Sequence, residues 1–157
     1  MTAIEPYPTI QKYRRGNLDV ETATLRVALF NDSVAYSPDQ VNHEYVSDVL
    51  DGGTTAQELA DASYSRRDLA NVSVTVDATD GEVVVDADDV TWTSLDGGET
   101  IQGWVAYAQI GGDDTTPADD PIIALEDEVT NSNGNLVTTN GSDITLQFDA
   151  EGIVTVS

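Results

Sequence analysis

The sequence predicts a mainly β protein: an antiparallel β-sandwich or a small barrel, with one or two short helices in its N-terminal half. From residue 66 onward, apolar and polar residues alternate with period two, and turn-forming residues separate these runs at hairpin-like spacing. Before residue 66, short segments have helical spacing instead. A length of 157 residues suits one domain. We expect an N-terminal arm over 1–17 and a single β-rich domain over 18–157.

The N-terminal half contains one strong strand signal among short helical segments. Prolines and a glycine make the arm irregular, with one helical turn expected at 9–15. The apolar run 25–30 predicts a buried strand that ends at a turn of Asn, Asp and Ser. A short helix is expected over 43–50, ended by the turn 51–53, and a second over 54–63.

The C-terminal half predicts about seven to nine short strands together with the run 25–30. Asp80-Gly81 is a hairpin signal between two valine-rich runs, and 111–120 is a loop. The expected strands cover residues 69–76, 83–85, 90–92, 101–110, 122–125, 144–148 and 153–156.

The net charge of −23 is the strongest compositional feature, with 29 acidic residues against 6 basic ones and Lys12 as the only lysine. Disorder, an acidic decoy or ion-binding surface, and adaptation to molar salt are three explanations. The regular alternation argues against disorder. The near-total loss of lysine favours salt adaptation, because a Debye length of about 3 Å at molar salt screens self-repulsion. Direct nucleic-acid binding is not expected, since phosphate contacts need Lys and Arg.

The charge is distributed unevenly along the chain. Residues 1–27 contain four basic and three acidic residues, whereas residues 68–157 contain 19 acidic residues and no basic one. The near-neutral arm is therefore a candidate docking element for a partner protein, with a flexible start that retains a few arginines as the alternative. Its candidate contact residues are Tyr7, Lys12, Tyr13, Arg14 and Arg15.

The residues give no signal for catalysis, and we expect that the protein is not an enzyme. Cysteine is absent, His43 is the only histidine, and the chain contains neither a Gly-x-Ser-x-Gly elbow nor a phosphate-binding Gly-rich loop. No apolar run approaches the roughly 18 residues of a membrane helix. The N-terminus lacks the apolar region of a secretory signal.

Acidic clusters and aromatic residues are the remaining candidates for binding. Asp86, Asp88 and Asp89 have oxygen donors suited to a structural Ca²⁺ or Mg²⁺, and four more acids crowd the loop 111–120. Solvated acidic loops are the alternative for both, and no other cofactor is expected. Three aromatic residues in alternating runs predict core anchors, with an exposed interface patch as the alternative: Trp92, Trp104 and Tyr107.

Several segments, in order, are similar to a family of small virion-associated proteins encoded by many tailed bacteriophages. The similar segments are Tyr13 to Asp19, Leu25 to Phe30, Tyr36 to Asp39, His43 to Val49, Val85 to Trp92, Val105 to Ile110, Pro121 to Leu125 and Phe148 to Ile153. The chain departs from the family at 55–68, where a glycine-rich segment is usual, and in its near-absence of lysine. The resemblance implies a virion structural protein without distinguishing head from tail.

The resemblance and the composition together predict a virion structural protein of a haloarchaeal tailed virus. The first expectation is a capsid decoration or cement protein that binds the major capsid protein and copies of itself. A tail, connector or vertex component is the second. A virion carbohydrate-binding domain is the third, and it requires exposed aromatic residues beside the acidic loops.

Salt adaptation makes a direct prediction for the isolated chain. Lowering the salt from molar to about 0.1 M lengthens the Debye length to about 10 Å and restores repulsion among the acids. We expect secondary structure to be lost or the oligomeric state to change, as measured by circular dichroism and sedimentation. A circular dichroism spectrum that stays constant over this range would contradict salt adaptation.

Overall fold

The computed structural model of the chain describes residues 3–50, 56–148 and 152–156, which form a mainly β structure of antiparallel sheets, as predicted. The described sheets are open and do not close into a barrel, so the architecture is sandwich-like. The elements are α1 Tyr7–Arg15, β1 Thr24–Asn31, α2 Val46–Val49, β2 Gln57–Glu58, β3 Arg67–Asp68, β4 Ser73–Asp77, β5 Glu82–Asp86, β6 Val90–Leu95, β7 Thr100–Gln109, β8 Ile122–Glu126, β9 Val137–Thr138, β10 Ser142–Leu146 and β11 Val154–Val156.

The main sheet has six strands around the central pair β1 and β7. Its order is β2-β1-β7-β8, with β3 also pairing β1 and β9 also pairing β7. Both faces of β1 are buried. Leu25, Val27 and Leu29 contribute to one core cluster, and Ala28 and Phe30 contribute to the other. The continuous apolar run that predicted β1 thus reflects a strand covered on both sides.

Two smaller sheets and helix α2 cover the main sheet. The first core cluster includes Trp92 and Leu95 from the pair β10-β6, and Val85 from the three-stranded sheet β11-β5-β4. The second cluster, on the other face, includes Val46 and Val49 of α2. The predicted hairpin at Asp80-Gly81 is confirmed as the connection between β4 and β5.

The helix expected over 54–63 is wrong for the described part of that segment. Residues 51–55, with the expected turn at 51–53, lie outside the described residues. From residue 56 the chain is extended, and β2 pairs with β1. The amide of Leu59 donates to the carbonyl of Leu29 at 3.2 Å. Pairing with the central strand therefore prevails over the local helical signal.

An ion-pair network around Arg66 ties this extended segment to the main sheet. The guanidinium binds both carboxylate oxygens of Glu58, each at 2.8 Å, and donates to the Tyr107 hydroxyl at 3.2 Å. That hydroxyl donates to Asp114 at 2.7 Å, and Asp114 also forms an ion pair with Arg26. Arg26 donates to the backbone carbonyl of Arg66 at 2.9 Å. This network thus uses two of the six basic residues.

Aromatic groups extend the network into the core. The Tyr64 hydroxyl donates to Glu58 at 3.0 Å and accepts from the backbone amide of Leu29 at 2.9 Å. The Tyr64 ring stacks on Trp92 with centroids 6.4 Å apart. The indole N–H of Trp92 donates to the carbonyl of Ser65 at 2.8 Å. The Tyr64 hydroxyl and the Trp92 indole N–H thus both have hydrogen-bond partners in the interior.

The network predicts a large effect for the loss of Arg66. Arg66→Ala leaves Glu58 without its bidentate partner, so we expect the free energy of unfolding to fall by about 3–5 kcal/mol. Arg66→Lys is expected to recover only part of this, because an ammonium cannot bind both oxygens in the same geometry. Denaturant titration at constant molar salt measures both variants.

The matched control is the exposed Arg15, where Arg15→Ala should change stability by less than about 0.5 kcal/mol. Equal effects of the alanine variants at residues 15 and 66 would show that the network does not stabilise the fold.

Candidate functional site

Helix α1 is positioned by signals at both of its ends. Pro6 precedes it and Pro8 lies in its first turn, where the missing amide costs nothing. Gly16 ends the helix with a left-handed φ of 68°. The amides of Gly16 and Asn17 then donate to the carbonyls of Tyr13 and Lys12. The prediction of a helical turn at 9–15 is confirmed, and the helix begins two residues earlier.

The arm is seated on the outer strand of the main sheet. Ile4 and Leu125 exchange two backbone hydrogen bonds of 2.7 and 3.0 Å. The Thr9 hydroxyl donates to the carbonyl of Ile122, and Thr9 is fully buried. The arm therefore covers the β8 edge of the sheet.

A loop after β1 holds the arm from the other side. The amide of Tyr7 donates to the backbone carbonyl of Gln40 at 2.9 Å, and the Gln40 side chain donates to the carbonyl of Glu5 at 2.9 Å. Contacts with the loop and with β8 together fix which face of α1 points outward.

The outward face of α1 consists of Tyr7, Gln11, Arg14 and Arg15, hereafter the outer face of α1. These positions follow the i, i+4, i+7, i+8 spacing of one helical face, and all four are exposed. Tyr7 is 55% exposed. Arg14 and Arg15 are the chain's two exposed basic residues, and neither forms an ion pair with a described residue. Three of the five predicted contact residues lie here.

The other two predicted contact residues, Lys12 and Tyr13, face inward. The Lys12 ammonium forms an ion pair with Glu44 and lies 4.5 Å from the centroid of the Tyr45 ring. The Tyr13 hydroxyl is buried and makes no hydrogen bond with a described residue. Both side chains hold α1 on the domain.

Glu5 is an acid buried beneath the arm. It is 8% exposed, and one of its carboxylate oxygens makes no hydrogen bond with a described residue. Burial raises the pKa of Glu5 to about 7, against the opposing effect of the Arg14 charge. Proximity of Glu5 in turn adds to the effect of burial in raising the pKa of Tyr13.

The three candidate metal ligands bind separate partners. Asp86 accepts from the amide of Ala87 at 2.9 Å, and Asp88 accepts from the side chain of Asn71 at 2.6 Å. Asp89 accepts from the amide of residue 148 at 3.1 Å. Among residues 3–50, 56–148 and 152–156, no group of three or more acidic or histidine side chains is arranged to hold a metal ion. Asp88 and Asp89 join segments that are distant along the chain, whereas the Asp86 carboxylate bonds to the next residue.

The acids of the loop 111–120 have structural contacts of their own. Asp113 accepts from the amide of Thr115 at 2.9 Å, which closes a turn. The pKa of Asp114 lies below its ordinary value. Partial burial acts to raise this pKa, but hydrogen bonds from Tyr107, Gln109 and Arg26 outweigh burial and lower it. Asp120 is fully buried and accepts from the amide of residue 110 at 2.8 Å.

The three candidate aromatic residues are core anchors, as predicted. Trp92 and Tyr107 are 0% exposed and Trp104 is 3% exposed. A sugar-stacking surface requires these rings to be exposed, and they are buried.

His43 is half-buried and holds a turn. Its Nδ1 accepts from the amide of Asp39 and lies 3.0 Å from the Tyr36 hydroxyl.

The surface also has a cleft that the sequence did not predict. A cleft of about 820 Å³ lies between β10 and the strands β7 and β9. Its wall includes Trp104 and Phe148, whose rings meet edge to face at 5.6 Å, and the uncharged Thr130, Asn131 and Ser132. The residues of its walls are distant along the chain, so a local sequence pattern could not predict this cleft.

Comparison with known protein families, curated proteins and solved structures finds no match for this chain. Neither of the two helices among the described residues is long and apolar enough to cross a bilayer.

The buried Glu5 predicts how stability changes with pH. Between about pH 4.5 and pH 7 the unfolded chain loses the Glu5 proton while the folded chain keeps it, so stability falls as pH rises. Glu5→Gln removes this cost. We expect the variant to gain about 1–3 kcal/mol relative to wild type on going from pH 4.5 to pH 8.

Denaturant titrations at both pH values, at constant molar salt, measure this difference. Glu21→Gln, at an exposed position near the arm, is the control and should show no comparable change. A wild-type to Glu5→Gln difference that is the same at both pH values would contradict the buried acid.

Proposed function

We propose that this protein is a virion structural subunit of a haloarchaeal tailed virus, and specifically a decoration protein that binds the outer surface of the capsid. The observation that carries the proposal is the outer face of α1. It presents the chain's only two exposed basic residues, Arg14 and Arg15, beside the exposed ring of Tyr7, in a chain of net charge −23.

Charge explains why this face suits an acidic shell. A capsid protein adapted to the same brine would carry carboxylates on its outer surface. Guanidinium groups bind carboxylates through paired hydrogen bonds, and Arg and Tyr are enriched at protein interfaces. At molar salt the Debye length is about 3 Å, so long-range attraction is screened and direct contact must supply the affinity.

The basic residues also have a local role in the helix. Lys12, Arg14 and Arg15 lie in the last turn of α1, where positive charge complements the helix dipole. That role accounts for basic residues in the turn but does not require two of them to point away from the domain. The resemblance to virion-associated proteins supports the particle as the place where this face is used.

The remaining surface fits an outward position on a particle. Residues 68–157 hold 19 acids and no basic residue, so this part of the domain would face brine. The resemblance fits a tail, connector or vertex component as well, and such a component is the second candidate. Copy number separates the two, because a shell has hundreds of positions whereas a tail tip or vertex has tens or fewer.

The double reversal Arg14→Glu with Arg15→Glu tests the contact. We expect its binding to particles depleted of this protein to weaken at least tenfold, equivalent to about 1.4 kcal/mol, because both guanidinium contacts become repulsive. Quantitative mass spectrometry of reloaded particles measures the bound fraction.

Lysine at both positions, as in Arg14→Lys with Arg15→Lys, keeps the charge and should retain more binding than the reversal. Circular dichroism must show that both variants fold. Full loading by the reversed variant would exclude the outer face of α1 as the contact. Absence of the protein from purified particles would exclude the virion role altogether.

A further inference from the structure

Strand β4 forms an open edge of the three-stranded sheet. The order of this sheet is β11-β5-β4, and no other strand of the described residues pairs with the outer side of β4. The backbone amides and carbonyls on such an edge can pair with another strand. By contrast, Ile4 of the arm pairs with the outer strand β8 of the main sheet.

Over residues 73–76, the β4 edge lacks the charge, proline and bulge that usually protect an exposed strand. The eight residues from Leu69 to Val76 contain no charge, glycine or proline, although acids make up 29 of the 157 residues in the chain. The register between β4 and β5 is continuous, so no bulge twists the edge away. Natural edges are commonly blunted by charge, proline or a bulge.

Valines extend from the core to this edge. On one face of the sheet, Val74 lies opposite Val85, and Val76 lies opposite Val83. Val85 is 3% exposed and belongs to the core, whereas Val83 is 38% and Val76 is 75% exposed. The apolar face of this sheet therefore continues from the core to the exposed valines of β4, at the open edge.

We propose that β4 pairs antiparallel with β4 of a second copy of this chain, about a two-fold axis at Thr75. In this register, Val74 of each copy lies opposite Val76 of the other, so two new valine pairs extend the apolar face. The two three-stranded sheets become one sheet of six strands. A two-fold contact of this kind uses the same surface on both copies and closes at a dimer.

Threonine pairing favours a second copy as the occupant. The register places Thr75 of one copy opposite Thr75 of the other, on the polar face of the sheet. The described structure uses such pairs twice on exposed antiparallel ladders, between Thr91 and Thr145 at 2.8 Å and between Thr100 and Thr138 at 3.2 Å. Cross-strand threonine pairs stabilise antiparallel sheets.

The distribution of charge on β4 also favours a second copy of the chain as its partner. In the proposed register the only acid of β4, Asp77, lies opposite Ser73, so no acid faces another acid across the strands. Two chains of net charge −23 therefore meet along a strand with no charge over Ser73 to Val76. This self-association uses none of the residues on the outer face of α1, and its failure would leave the proposed virion role untouched.

Sedimentation of the purified chain in molar KCl tests the dimer. We expect wild type to sediment at twice its monomer mass of 16.7 kDa at high micromolar concentration. Val76→Asp should sediment as a monomer with an unchanged circular dichroism spectrum, since this position is exposed. The control Val41→Asp, at another exposed valine, should remain dimeric.

Charge pairing at the axis tests the register. Thr75→Asp and Thr75→Lys each place like charges opposite each other and should each reduce the dimer. Mixed together, the two variants should form a mixed dimer in native mass spectrometry, at the lowest salt that keeps the fold. A monomeric wild type, dimers that survive both Val76→Asp and Thr75→Asp, or failure of the mixed dimer would each overturn the proposal.

Discussion

The ion-pair network around Arg66 is the contact on which the rest of the structure depends. It fixes the segment that contains β2 and β3, and the loop 111–120, to the centre of the main sheet. A chain with 29 acidic and 6 basic residues cannot pair most of its acids with a cation, so the positions of the basic residues matter. Arg66 and Arg26 neutralise two half-buried acids that pack against the main sheet, Glu58 and Asp114. Loss of this network would leave the half-buried Glu58 and Asp114 without their cationic partners and would release Tyr107 from Arg66.

The same shortage of basic residues makes the exposed ones informative. Four of the six are half-buried, and Lys12, Arg26 and Arg66 have carboxylate partners within the domain. Only Arg14 and Arg15 are directed to solvent. In most proteins two surface arginines would not indicate a contact, but here they are the only exposed basic side chains among the described residues, which include all six lysine and arginine residues. The outer face of α1 is therefore distinctive because the rest of the chain is so acidic.

Much of the fold could be predicted from local patterns. The run that forms β1 and the β4–β5 hairpin have strong signals, and the spacing at 9–15 and 43–50 predicts short helical segments. The two-residue strands β2, β3 and β9 could not be predicted, because so short a run has no periodicity and is defined only by its partner. The wrong helix prediction has the same origin over the described residues 56–63, since pairing with β1 decides the conformation at Gln57 and Glu58. In the candidate site, the outer face of α1 could be predicted, because residues 7, 11, 14 and 15 have the spacing of one helical face. The inward turn of Lys12 depends on Glu44, which lies too far along the chain for any local pattern to reveal.

The seating of α1 on β8 has a consequence for the strength of any contact that the helix makes. A disordered arm that folds on binding must give up conformational entropy at that moment, which weakens the complex. Here the helix is already formed, capped by Gly16 and tied to the sheet through Ile4 and Thr9. A partner would meet a preorganised surface and would need to immobilise only the ends of a few side chains. A small contact area can then suffice for stable attachment.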